Sequence, residues 1–134
     1  MELTTAEAKE SATDWVAKNA SKIPSFLGAF FAGSINWSDD GVEWPKISDV
    51  DVFVIADNIG TYKIKHQKFI YNDVLLEVSI FESERFQTAE QVLSDYPIAC
   101  QFSVPSIISD PTGKLYELHN EVAEHYAEKK ALWE

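Results

Sequence analysis

The chain has 134 residues, a length that suits one domain with a single hydrophobic core. Hydrophobic residues make up 46% of the chain and aromatic residues 13%, which excludes an intrinsically disordered protein. The formal net charge of −11, from 11 Lys+Arg against 22 Asp+Glu, argues against a protein that binds a long nucleic acid, because phosphate contacts need clustered Lys and Arg.

The sequence also indicates a compartment. Its one cysteine, Cys100, has no partner for an internal disulfide and lies in an apolar run, where we expect it to be buried. No stretch reaches the ~18 apolar residues of a membrane span. The N-terminus has neither the basic start nor the apolar core of a signal peptide. We therefore expect a cytoplasmic protein without a membrane segment.

The N-terminal segment predicts a helix followed by a strand. Thr4 and Glu7 have the spacing of a capping box, and apolar residues then recur at helical spacing until Pro24. This pattern predicts an amphipathic helix of about four turns that packs on the core. Phe26–Ala32 is a short aromatic run that favours a buried strand.

A turn and a long loop follow this strand. Gly33-Ser34 ends the strand, and such turns present backbone N–H groups that can bind phosphate oxygens. Residues 35–48 show no clear period and predict a loop. We interpret its two tryptophans, Trp37 and Trp44, as residues that fasten the loop to the body of the protein. The alternative is that they stack on a base or shape a pocket.

Two aspartates open the next strand, which spans residues 49–56. Asp49 and Asp51 are two residues apart, so both side chains leave the same face, with backbones about 7 Å apart. Two such carboxylates can converge on Mg²⁺, which prefers oxygen ligands and retains its substrate phosphates. Both faces of the strand are apolar further along, which predicts a central position in the sheet.

A hairpin is predicted next. Residues 63–71 alternate as a strand with one solvated face, Asn72-Asp73 forms the turn, and residues 74–81 return as a strand. Glu77 lies within this apolar second strand. Burying it unpaired would be costly, so it needs a metal, a basic partner or solvent. The alternative is a glutamate on an edge strand that faces water.

The C-terminal half predicts two further helices. A second capping box, Thr88 with Gln91, begins a helix that we expect to end by Pro97. Residues 98–104 are apolar and ambiguous between helix and strand, and residues 106–109 favour a short strand. A turn over residues 110–113 precedes a last amphipathic helix. The apolar positions of that helix are Leu115, Leu118, Val122 and Tyr126, and its histidines, His119 and His125, are expected at the surface.

This order of elements predicts an α/β (α+β) fold with a mixed sheet of about four to five strands and helices packed against it. The combination of Gly33-Ser34, the Asp49-Val-Asp51 pair and a hydrophobic strand resembles the nucleotidyltransferase superfamily that includes DNA polymerase beta. The small bacterial members that nucleotidylate antibiotics or proteins are the most similar. The resemblance extends from Phe26 to the turn and helix start at residues 110–115.

The resemblance implies a fold like the polymerase-beta palm and a set of functional residues. Asp49 and Asp51 would bind Mg²⁺, in a site for two ions, and Glu77 would complete this catalytic site as a third ligand or as a base. Gly33 and Ser34 would hold the β and γ phosphates of a nucleoside triphosphate. We include the neighbouring Lys46 and Ser48 among the nucleotide-binding residues. Many small members carry an arginine soon after Gly-Ser, where this chain has Ile-Asn-Trp at residues 35–37.

The function implied by the resemblance is Mg²⁺-dependent transfer of a nucleoside monophosphate to a hydroxyl of a small molecule or a protein. One alternative is a catalytically weak binding module, the antitoxin-type partner of another protein. A second is a generic α/β domain in which Asp-Val-Asp merely starts a strand. We expect residues 1–134 to form one domain. Family members often carry a further helical domain, so this domain is a minimal one, a part of a longer protein, or one whose acceptor site a homodimer or a helical-domain partner completes.

Overall fold

The structure of the protein is a computed structural model that describes residues 2–61 and 65–133. The strands are β1 (Leu3–Thr4), β2 (Phe26–Ala32), β3 (Glu43–Trp44), β4 (Val50–Ala56), β5 (His66–Tyr71), β6 (Val74–Glu82) and β7 (Ile107–Ser109). The helices are α1 (Thr5–Lys18), α2 (Ala89–Leu93), α3 (Tyr96–Gln101) and α4 (Lys114–Trp133). Short 3-10 helices cover Ala20–Lys22, Gly33–Trp37, Ile59–Thr61 and Ser83–Phe86.

A five-stranded mixed sheet forms the centre of the fold, in the order β5-β6-β4-β2-β7. β4 pairs in parallel with β6, and the other neighbours are antiparallel. The predicted fold class and the central position of β4 are therefore confirmed. The strands β1 and β3 form a separate two-stranded ribbon, which the sequence did not predict because each has two residues.

Each face of the sheet carries its own hydrophobic core, because side chains alternate along a strand. The first core packs under α1 and includes Val16, Phe31, Val52 and Leu76. The second core packs under α2, α3 and α4 and includes Phe30, Phe102 and Val122. A buried phenylalanine or valine contributes about 1.5–3 kcal/mol, so these two layers hold the helices on the sheet.

The predicted capping box at the start of α1 is present. The Thr4 hydroxyl accepts from the Glu7 backbone N–H, and Glu7 Oε1 accepts from the Thr4 N–H at 2.9 Å. The helix ends at Lys18, six residues before the predicted stop at Pro24. The backbone N–H and the side-chain amide of Asn19 both donate to the Trp15 carbonyl, at 2.9 and 3.1 Å, which closes the last turn of the helix.

The predicted hairpin is confirmed, with Tyr71 opposite Val74. Its turn residues have positive φ, 50° at Asn72 and 65° at Asp73, a conformation that Asn and Asp tolerate and that favours two-residue hairpins. The strand is observed from His66 onward. Residues 63–64 of the predicted strand lie outside the described residues.

Two expectations for the C-terminal half, those for Cys100 and His119, are wrong. Pro97 follows the end of α2 at Leu93, as expected. It lies in the first turn of α3, where its missing N–H has no acceptor to lose, and the ambiguous run continues as a helix to Gln101. Cys100 is only partly buried, because Ile98, Ala99 and Phe102 form the core-facing side of α3.

The second wrong expectation concerns His119, which is buried rather than at the surface. It lies on the same stripe of α4 as Leu115, Leu118 and Val122, which the helical period places together. Its Nε2 lies 2.8 Å from the Val104 carbonyl. No helix within residues 2–61 and 65–133 is both long and apolar enough to cross a membrane.

Candidate active site

Three carboxylates converge on one face of the central sheet. Asp51 on β4 is the direct neighbour of Glu77 on β6, because the two parallel strands pair in that register. Asp49 lies just before β4, and one carboxylate oxygen from each of the three residues lies within 4.8 Å of the others. The alternative in which Glu77 lies on an edge strand is wrong, since β6 has β5 on one side and β4 on the other.

Two basic side chains from β5 adjoin this triad. Lys68 is the direct neighbour of Glu77 across the hairpin, and its Nζ lies 3.0 Å from Asp49 Oδ2. His66 Nε2 lies 3.1 Å from Glu77 Oε1. Sequence reasoning missed both residues, although a two-residue turn at 72–73 pairs residue 71 with 74 and therefore residue 68 with 77.

The pKa values of Asp51 and Asp49 are shifted in opposite directions. Burial raises the pKa of Asp51 from 3.8 to about 7, and the charge of Glu77, the hydrogen bond with Glu77 and the charge of Asp49 add to the effect. The hydrogen bond from Lys68 lowers the pKa of Asp49. The same contact raises the pKa of Lys68. Asp51 is therefore the carboxylate that most needs a compensating cation.

Gly33 lies directly against this carboxylate. It begins a 3-10 helix after β2 with a φ of +75°, and a Cβ at this position would collide with Asp51 Oδ2. Its N–H donates to Gln101 Oε1 at 3.0 Å, and the Asn36 side-chain amide donates to the same oxygen at 2.8 Å. Ser34 follows as an exposed residue. The close approach to Asp51 explains why the position needs glycine.

The loop that leads to the triad is fastened by one of its two tryptophans. Trp44 is 5% exposed and donates from Nε1 to the Ser48 carbonyl at 3.2 Å, which confirms the fastening role for this residue. Trp37 is 52% exposed and is not buried in this way. Lys46 is also exposed. The nucleotide-binding roles of Lys46, Ser48, Gly33 and Ser34 stay predictions.

The triad has the chemistry of a site for a hard divalent cation. All three residues supply carboxylate oxygens, the ligands that hard divalent cations prefer. Their side chains are partly open to water, 30% exposed at Asp49 and 29% at Glu77, so an ion and its phosphates can reach them. The residues present therefore fit Mg²⁺.

A cavity of about 680 Å³ lies away from the triad, at the other end of β4. Its lining includes Leu27, Ile55, Asp57, Phe86 and Leu118. None of the triad residues or their basic neighbours lines it. The carboxylates instead lie near the start of β4, where their side chains are partly open to water.

The chain matches no protein-family model and no curated protein sequence. Among solved structures it is similar to a nucleotidyltransferase-like protein from Exiguobacterium sibiricum 255-15, with a TM-score of 0.57. The chain has a nucleotidyltransferase-like fold. The match has 11% sequence identity and covers 85% of this chain and 38% of that chain, so the likeness concerns the fold alone. The antibiotic- or protein-modifying subtype stays a prediction.

Proposed function

We propose that the chain is a Mg²⁺-dependent nucleotidyltransferase. It would move a nucleoside monophosphate from a nucleoside triphosphate to a hydroxyl of a small, antibiotic-like molecule or of a protein. The observation that carries this proposal is the convergence of Asp49, Asp51 and Glu77 on a nucleotidyltransferase-like sheet, with oxygens within 4.8 Å of one another. Carboxylates at this separation suit a hard divalent cation that also binds phosphates.

The triad would hold Mg²⁺, in a site for one or two ions, through its carboxylate oxygens. When bound, the metal supplies charge neutralisation at the phosphates and aligns the attacking and leaving oxygens. The acceptor oxygen forms a bond to the α-phosphorus, the bond from that phosphorus to the bridging oxygen breaks, and pyrophosphate leaves. Glu77 would be the third ligand, or the general base that accepts the hydroxyl proton, a role worth about 10²- to 10⁴-fold in rate.

The turn after β2 would hold the rest of the triphosphate. Gly33 lies against Asp51, so a phosphate near the triad would also be near this backbone. The Gly33 N–H would exchange the Gln101 side chain for a phosphate oxygen, since a charge-assisted hydrogen bond is stronger than a neutral one. Ser34, with Lys46 and Ser48, would add polar contacts.

The proposal also covers the acceptor of the nucleotide and a protein partner. An acidic loop that contains Asp39, Asp40 and Glu43 would suit a cationic acceptor. The chain spans 38% of the length of the solved protein that it resembles, so a second subunit or a helical domain could complete the acceptor site. An acceptor hydroxyl on a protein side chain would fit the same chemistry.

The test is a thermal-shift titration with ATP, GTP, CTP and UTP, each with and without Mg²⁺. A ligand at a hundred times its dissociation constant stabilises a protein by about 2.7 kcal/mol, which is a shift of several degrees. We expect one or more nucleotides to give such a shift only with Mg²⁺. The Asp51→Asn variant should lose it.

A matched control removes a carboxylate elsewhere. Asp73→Asn changes an exposed turn residue with a φ of +65°, a conformation that asparagine accepts, and should keep the nucleotide shift. A folded wild type that shifts with none of the four nucleotides would overturn the proposal. That result would favour the binding module, and a pull-down for a protein partner would follow.

A further inference from the structure

Lys68 reaches from the edge of the sheet to the metal-binding carboxylates. On neighbouring strands, Lys68, Glu77 and Asp51 occupy one row, because Lys68 pairs with Glu77 and Glu77 with Asp51. The lysine side chain extends along this row to Asp49, where Nζ and Oδ2 are 3.0 Å apart. Among the described lysines and arginines, Lys68 is the residue that forms an ion pair with the triad.

This ion pair is easily exchanged. The Lys68 side chain is 52% exposed and that of Asp49 is 30% exposed, and ion pairs open to water contribute little to stability. A divalent cation bound by Asp49 would compete with the ammonium for the same carboxylate and repel it. Lys68 therefore has to leave Asp49 when the metal arrives.

The released ammonium stays close to the site, since β5 anchors its stem beside Glu77. A lysine carries a compact charge on a flexible four-carbon stem, and such a group binds phosphate oxygens well. The triphosphate that accompanies the metal is the strongest anion to enter this face of the sheet. We propose that Lys68 is a nucleotide-binding residue that exchanges Asp49 for a phosphate oxygen of the bound nucleoside triphosphate.

This inference rests on the proposed function, but it makes a separate prediction. If Lys68 only neutralised the triad, its removal would strengthen the binding of both the metal and the metal nucleotide, because a competitor for Asp49 would be gone. If Lys68 binds phosphate, removal strengthens the binding of the metal alone and weakens that of the metal nucleotide. The two affinities therefore move in opposite directions only under the proposal.

The experiment measures both affinities by isothermal titration calorimetry on the full chain. The probes are Mn²⁺ alone and the Mg²⁺ complexes of the four α,β-methylene nucleoside triphosphates, which the transfer step cannot cleave. Lys68→Met should bind Mn²⁺ at least as tightly as the wild type. It should bind the metal nucleotide about tenfold to a hundredfold more weakly, the range for loss of one hydrogen bond to a charged group.

Two further variants make the result specific. Lys68→Arg keeps the positive charge and should recover part of the nucleotide affinity. Lys65→Met removes an equal charge near the start of the same strand, but Lys65 lines a groove beside Trp15 on the opposite face of the sheet. This control should bind the metal nucleotide as the wild type does.

The outcomes separate the inference from the proposed function. No binding of any metal nucleotide to the wild type would overturn both. Binding to the wild type with unchanged or tighter binding to Lys68→Met would overturn the inference alone and make Lys68 a counter-ion. Binding to the wild type with weaker nucleotide binding and unweakened Mn²⁺ binding in Lys68→Met would support the inference.

Discussion

The Asp51 carboxylate should cost the protein stability whenever no cation is bound. Burial raises the pKa of Asp51 to about 7, with Glu77 and Asp49 adding to the effect, so ionising it at neutral pH opposes folding. The substitution Asp51→Asn removes this charge and keeps nearly the same shape. We therefore expect Asp51→Asn to be more stable than the wild type at pH 8 in the presence of a metal chelator.

The direction and size of this effect follow from proton linkage. The folded state binds the Asp51 proton more tightly than the unfolded state, so the associated stability is complete below about pH 4 and is lost as pH rises through about 7. Raising a pKa from 3.8 to about 7 corresponds to at most about 4 kcal/mol. Because water still reaches Asp51 and screens its neighbours, we expect about 1–2 kcal/mol.

The assay is thermal and urea unfolding of the wild type, Asp51→Asn and the Asp73→Asn control, in chelator at pH 5 and pH 8. At pH 8 the melting temperature of Asp51→Asn should exceed that of the wild type by about 3–8 °C, with a smaller difference at pH 5. Adding Mg²⁺ and nucleotide should reverse the order of the wild type and Asp51→Asn, since we expect the wild type to bind them and Asp51→Asn not to.

Removing the charge of Asp49 should have the opposite effect on stability from removing that of Asp51. Lys68 lowers the pKa of Asp49, so the charge of Asp49 contributes stability that is present above about pH 4 and lost as pH falls. Asp49→Asn should therefore lower stability at pH 8, by at most about 1 kcal/mol for a water-exposed ion pair. If Asp51→Asn is as unstable as Asp49→Asn at pH 8, or its difference from the wild type does not change with pH, the reasoning is refuted.

Two further substitutions test the architecture around the site. Gly33→Ala should lower the free energy of unfolding by about 1–2 kcal/mol because of its positive φ, and it should weaken Mg²⁺ binding because the new Cβ collides with Asp51. Gly60→Ala is the control, because Gly60 has open space around it, and it should change neither property. Thermal melts measure the stability, and calorimetry measures the Mg²⁺ binding. His119→Ala should lower the free energy of unfolding in urea by about 2–3 kcal/mol, since it removes a buried ring and its contact with the Val104 carbonyl. A loss below about 0.5 kcal/mol would contradict the buried role of this histidine.

Local patterns were sufficient for most of the elements. The two capping boxes begin helices where the sequence predicted them, because their hydrogen bonds join residues only three positions apart. The alternation along residues 50–56 places a central strand with two apolar faces, and Asn72-Asp73 fixes the hairpin. The sequence also determined that Asp49 and Asp51 leave one face of a strand, since that follows from a period of two.

Helix faces were harder to assign from single residues. His119 was expected at the surface because of its type, yet it lies on the buried stripe of α4 between leucine and valine. Cys100 was expected in the core because of its apolar neighbours, yet it is only partly buried. In both cases the position on the helix decided burial, and the period of 3.6 residues could have indicated it.

Only the tertiary structure decided the composition of the site. Glu77 would face water on an edge strand, but the parallel pairing of β4 with β6 places it beside Asp51, and β5 then brings Lys68 to Asp49. Gln101 reaches the turn at Gly33 from a separate helix. Strand order depends on which hydrophobic faces cover one another across long stretches of chain, and no local pattern carries that information. The sequence itself therefore determined the pair of carboxylates, Asp49 and Asp51. The packing of the sheet determined that Glu77 and Lys68 join this pair.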